Sequence, residues 1–80
     1  MKLPRDISGI VLAKHLKILE YDISHQTGSH IRLTTKKDGI HHITIPSHDP
    51  LRIETLNAIL RDISEHHKIT RSELLALLFS

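Results

Sequence analysis

The chain has 80 residues, 11 Lys+Arg against 9 Asp+Glu for a formal charge of +2, and no cysteine. That length holds one domain, residues 1–80, with a single modest core. Without thiols there is neither a disulfide framework nor a thiolate metal site, and so small a charge does not by itself argue for nucleic-acid binding. Eight histidines is the unusual count. Five of them, His25, His30, His41, His42 and His48, lie between His25 and Arg52, with Arg32, Lys36, Lys37 and Arg52 but only Asp38 and Asp49 as acids. The middle of the chain is therefore locally basic. The opening MKLPRDISG has no apolar h-region, and no apolar run approaches the ~20 residues of a membrane span. A soluble, cytoplasmic protein is expected.

In chain order, DISGIVLAKHLKIL predicts the first helix. Ser8 is a good N-cap, and Ile7 and Leu12 are spaced for a hydrophobic staple. Val11, Leu12, Leu16 and Leu19 make the apolar stripe. Gly9, a poor helix former, softens the start. YDISHQ alternates, with Tyr21, Ile23 and His25 on one face and Asp22, Ser24 and Gln26 on the other. HIRLTT and IHHITI alternate as well. Thr27-Gly28-Ser29 and Asp38-Gly39 supply the turns, so the three segments predict an antiparallel meander. Paired residues must share a face. That parity pairs Leu33 with Ile43, Ile31 with Ile45, Arg32 with Thr44, Thr34 with His42 and His30 with Pro46, and leaves Lys36–Ile40 as the loop.

ETLNAILRDISEHH predicts the second long helix, with Thr55 as N-cap and Leu56, Ile59, Leu60 and Ile63 buried. ITRSELLALL predicts a short last helix. Thr70 and Glu73 form its capping box, and Ile69 and Leu74 its staple. The expected architecture is α+β: one apolar sheet face covered by helices, one polar face left open. The open face is expected to carry Asp22, Ser24, Gln26, His30, Arg32, Thr34, His42 and Thr44.

Chemistry concentrates on that face. A neutral imidazole can take a proton from a ribose 2′-hydroxyl, and an imidazolium can give one to a leaving 5′-oxygen. His30, at a strand start after a glycine turn, suits this work. Arg32, two residues on along the same face, is the first choice to hold a phosphate, with Lys36 and Lys37 more distant. The backbone N–H groups of Thr27–Ser29 offer a small anion nest. His48, in the PSHDP loop, is a candidate second proton carrier if the register brings it beside His30. On residue type alone, however, a histidine at a strand start is ordinarily a solvated surface residue, and His48 is equally a plain loop histidine. His41 reads as a core-edge histidine. Neighbours on a strand point to opposite faces, so His41-His42 is a poor metal site. His66-His67 lacks the i, i+4 spacing of a helical zinc pair. No metal or other cofactor is expected.

Four ordered stretches, LPRDISG, HQTGSHIRL, HHITIPSHDPL and TLNAILRDI, together resemble the HicA family of small bacterial toxins across nearly the whole chain. The resemblance implies a fold like a double-stranded-RNA-binding domain, α-β-β-β-α, here with a short C-terminal helix. It implies metal-independent endoribonuclease cleavage of mRNA and inhibition by a HicB-like antitoxin. The family's G-S-H histidine, regarded as catalytic, falls on His30, beside Gly28 and Ser29. Three positions depart from the family pattern. Glu20 stands where a glycine often ends the first helix, His25 where an arginine commonly precedes Gln26, and Glu54 where a glycine usually opens the second helix. A non-catalytic module binding duplex RNA is the alternative, although Tyr21 and Phe79 are the only aromatic residues available for base stacking. A purely protein-binding domain using the sheet edges is a third reading.

Overall fold

The computed structural model describes residues 6–79. Leu3, Pro4 and Arg5 of the opening stretch lie outside the described residues. Helix α1 runs Gly9–His15. The Ser8 hydroxyl accepts from the Val11 N–H at 3.1 Å, which satisfies one of the donors a helix start leaves free. Ile7 and Leu12 both enter the core as the staple requires. The helix does not continue evenly to Leu19. It tightens into a 3-10 turn over Leu16–Leu19, whose i, i+3 spacing stacks Leu16 and Leu19 on one side. The buried stripe is therefore Leu12, Ala13, Leu16 and Leu19, and Val11, 42 % exposed, lies off it. Val11 sits next to Leu12 in the regular part of α1, about 100° round the helix from it, and so falls outside the stripe. Glu20 ends this segment in the left-handed region, φ 63°, a conformation that glycine adopts at low cost and glutamate does not.

Strands β1 (Asp22–Gln26), β2 (His30–Thr35) and β3 (His41–Pro46) form an antiparallel sheet in the order β1-β2-β3. The β2–β3 register is the one parity requires, from His30 opposite Pro46 to Thr35 opposite His41. Asp38 at φ 58° and Gly39 at φ 99° make the turn between them. The β1–β2 register differs from simple alternation. Asp22 pairs with Thr34 and Ile23 with Leu33, but His25 pairs with Arg32 and Gln26 with Ile31. An extra residue, Ser24, bulges out of the ladder. Beyond a bulge every side chain changes face, so His25 joins the open face and Gln26 leaves it.

Helix α2 spans Ile53–His67 and begins after Arg52, without a side-chain cap. Thr55 is not its N-cap: it already lies within the first turn. Leu56, Ile59, Leu60 and Ile63 are buried as expected, and His67 extends that stripe. Helix α3 covers Arg71–Phe79. Its capping box is complete: Thr70 N–H donates to Glu73 Oε1 at 3.0 Å, and Glu73 N–H donates to Thr70 Oγ1 at 3.1 Å. The Thr70 backbone N–H, and after it the Thr70 hydroxyl, hold the Glu73 carboxyl below its ordinary pKa.

The helices cover one sheet face, where Ile31, Leu33, Ile43 and Ile45 meet Leu12, Leu16, Leu56, Leu60, Ile63 and Leu74. Each such side chain, fully buried, contributes about 1.5–3 kcal/mol. The domain is α+β in the expected order. The segment after β3 is fastened to the entry of α1. Leu51 N–H donates to Ile7 O at 2.8 Å and Gly9 N–H to His48 O at 3.0 Å. A Cβ on Gly9 would overlap the Pro46 carbonyl oxygen. Gly9 is thus required by close packing, although it is a weak helix former.

Candidate active site

The β1–β2 turn is tied internally. Thr27 N–H donates to His30 O at 2.9 Å, and Thr27 Oγ1 accepts from His30 N–H at 3.1 Å and from Ser29 N–H at 3.3 Å. The Thr27 and Ser29 amides are therefore engaged within the turn, which leaves Gly28 N–H as the remaining member of the supposed nest. Gly28 faces open space and can let a bulky ligand approach. This bracing fixes the start of β2, where His30 stands exposed on the open face. Its Nδ1 lies 3.0 Å from Ser29 Oγ. A hydroxyl both donates and accepts, so Ser29 can support either neutral tautomer of His30 as well as the imidazolium. Nε2 is left for a reacting group.

Arg32 is exposed on the same face, opposite Thr44 on β3 and His25 on β1. His30, Arg32 and His25 thus share one patch at the hairpin end of the sheet. Lys36 and Lys37 stand elsewhere. At about 3.3 Å per residue they lie roughly 20 Å from His30 along the strand. Lys36 lines an open depression with Lys17, Glu20, Asp22 and Thr34, and Lys37 Nζ is 3.8 Å from Glu20 Oε2. Neither lysine is therefore brought together with His30. His48 is exposed; its carbonyl caps Gly9, while Ser47 N–H donates to Ser29 O at 2.9 Å. Its loop is thereby laid against the start of β2, but no hydrogen bond joins the His30 and His48 rings among the described residues.

On the far half of the open face, Thr34 Oγ1 donates to Ser24 Oγ at 3.0 Å, and Ser24 Oγ donates to Arg32 O at 3.3 Å. With its proton committed, Thr34 accepts from His42 Nδ1 at 2.8 Å. His42 is therefore held as the Nδ1–H tautomer and braces the sheet.

A second polar centre lies on the covered side. Tyr21, fully buried, has its hydroxyl 2.6 Å from His41 Nδ1 and 3.1 Å from His67 Nε2. His41 Nε2 meets Asp62 Oδ1 at 3.1 Å, and His67 Nδ1 meets Asp38 Oδ2 at 2.9 Å. His66 stacks on His41 with centroids 4.3 Å apart, and its Nε2–H reaches the Lys37 and Gly39 carbonyls at 3.1 and 3.0 Å. Burial, assisted by the Asp62 charge, pushes the Tyr21 phenol far above its ordinary value, so it keeps its proton. The His67 hydrogen bond, helped by the charges of His67, Lys37 and His66, holds Asp38 below the usual carboxylate range. Four hydrogen bonds thus run in series along Asp62–His41–Tyr21–His67–Asp38. This chain is a strap that fastens the β2–β3 turn to the end of α2. The sequence carried one sign of it: Tyr21 and His41, both polar-tipped, fall on the apolar face and need partners there.

Among the described residues no group of three or more His, Asp or Glu is placed to hold a metal ion, and no helix is long and apolar enough to cross a membrane. No curated protein and no solved structure matches the chain. A family model described as the HicA toxin of bacterial toxin–antitoxin matches residues 12–64. The match takes in the whole sheet, the Gly28-Ser29-His30 turn and most of α2. On that match, together with the α-β-β-β-α order, the chain belongs to the HicA toxin family.

Proposed function

We propose that this toxin is a metal-independent endoribonuclease that cuts mRNA through His30, and that a HicB-like antitoxin restrains it in the cytoplasm. The observation that carries the reading is His30 itself. It is exposed on the open sheet face, backed at Nδ1 by Ser29 Oγ at 3.0 Å, and lies in the segment matched to the toxin family. The reaction suited to these groups is attack of a ribose 2′-oxygen on the adjacent phosphorus. His30 takes or gives one proton, and Ser29 holds the ring in whichever tautomer the step leaves. Arg32 offsets charge gathering on the phosphoryl oxygens. Gly28 lets the RNA backbone approach, and Lys36 and Lys37 contact phosphates farther along the strand.

Incubating the purified chain with a long single-stranded RNA in EDTA, beside His30→Ala, tests this reading. Cleavage by the wild type alone supports it. Equal cleavage by a clean His30→Ala preparation removes His30 from the chemistry. Salt-sensitive binding of duplex RNA without cleavage points instead to a binding module.

A further inference from the structure

We propose that His25 is the second proton-transfer residue of the site, working with His30 across one phosphate; this rests on the ribonuclease reading above. The reaction requires two transfers. One group takes the 2′-hydroxyl proton as O2′ bonds to phosphorus; another delivers a proton to O5′ as the P–O5′ bond breaks. The products are a 2′,3′-cyclic phosphate and a 5′-hydroxyl, with protons balanced and no other reactant consumed. Attack and departure occur on opposite sides of phosphorus, so the two carriers must stand several ångströms apart on one face.

The bulge in β1 creates that arrangement. The hairpin closes through Thr27 N–H to His30 O, which sets Thr27 opposite His30. His25 is two residues back along the strand and pairs with Arg32. It is therefore the diagonal cross-strand neighbour of His30, at about 7–8 Å, with Arg32 directly opposite it. Both histidines are exposed. Without the extra residue His25 would share the covered face with Ile23. Ser24, which donates to Arg32 O at 3.3 Å and accepts from Thr34 Oγ1 at 3.0 Å, holds the bulge and is a positioning residue. Bulges beside active sites commonly re-aim a side chain in this way. His48 is the competitor, but its loop is fixed through its own backbone to Gly9, and no ladder pairing sets its ring on the open face.

The test measures cleavage of single-stranded RNA in EDTA by the full chain and by His25→Ala, His25→Arg and His48→Ala, each checked for wild-type circular dichroism. His25→Ala is expected to lower kcat by about 10²-fold or more, change KM only a few-fold, and lose one limb of the pH–rate profile. His25→Arg, which keeps a cation but cannot exchange its proton, is expected to retain KM and not recover kcat. Wild-type turnover by His25→Arg, a His25→Ala rate within about twofold of wild type, or the loss falling on His48→Ala instead, overturns the assignment to His25. A wild-type chain that cuts no RNA overturns the nuclease reading and this inference with it.

Discussion

Replacing Tyr21 with phenylalanine probes the strap that joins the β2–β3 turn to α2. The ring and its packing are kept, so the hydrophobic contribution is nearly unchanged. What is lost is the hydroxyl 2.6 Å from His41 Nδ1 and 3.1 Å from His67 Nε2. Two ring nitrogens then have no partner. The His67 side chain is only 1 % exposed and that of His41 14 % exposed, so water compensates the second more than the first. A buried polar group left unpaired costs about 1–3 kcal/mol, which makes the expected loss roughly 2–4 kcal/mol for the pair. A domain of this size holds only about 4–12 kcal/mol in all. Urea unfolding at neutral pH is expected to show a clearly lower midpoint with an unchanged slope. The same substitution alters the alkaline limb. Tyr21 has its folded-state pKa raised above the ordinary tyrosine value by burial and, after that, by the Asp62 charge. Its contribution is therefore fully present below about pH 10 and is lost as pH rises further. The wild type loses that stability on going alkaline and Tyr21→Phe does not. A loss below about 0.5 kcal/mol, the range of a neutral surface change, would show that the hydroxyl is not the strap's centre.

Three further outcomes follow from local geometry. Glu20→Gly relieves a left-handed residue at φ 63° and is expected to stabilise by about 0.5–1 kcal/mol, read as a raised urea midpoint; the exposed Lys37–Glu20 pair offsets little of this. Gly9→Ala drives a Cβ into the Pro46 carbonyl and is expected to destabilise by about 1–3 kcal/mol or more, with wild-type stability the contrary result. Asp38 has its pKa lowered in the fold, so its contribution is present above the ordinary carboxylate pKa and lost as pH falls through the folded value. Thermal unfolding of Asp38→Asn between pH 5 and pH 2.5 is expected to show a shallower acid slope than the wild type.

The register of β2 with β3 was legible because two constraints agree: the parity of Ile31, Leu33, Ile43 and Ile45, and the Asp38-Gly39 turn. The covered side of α2 and the capping box of α3 were legible for the same reason, since each rests on side chains within one turn of each other. Three features were not. The tightening of α1 into a 3-10 turn after His15 left no mark, because nothing in the leucine spacing distinguishes α from 3-10 winding over so short a stretch; Val11, about 100° round the helix from Leu12, is off the stripe under either winding. Arg52 rather than Thr55 precedes α2 because the chain is still extended at Arg52 (ψ 145°) and turns helical at Ile53. The bulge at Ser24 left no mark, because Ser24, His25 and Gln26 are all polar and alternation among them has no apolar member to fix a face. The candidate site followed the same division. His30 and Arg32 lie on β2, where parity is secure, and both stand where parity sets them. His25 lies beyond the bulge, where parity fails.

The most direct test of the account is the chemistry of the cut ends. RNA cleaved by the wild-type chain in EDTA, with His30→Ala alongside, is analysed for end groups by mass spectrometry. Attack by the 2′-oxygen through His30 predicts 2′,3′-cyclic phosphate and 5′-hydroxyl ends from the wild type and no products from His30→Ala. Ends bearing a 5′-phosphate and a 3′-hydroxyl, or the same products from His30→Ala, would contradict it.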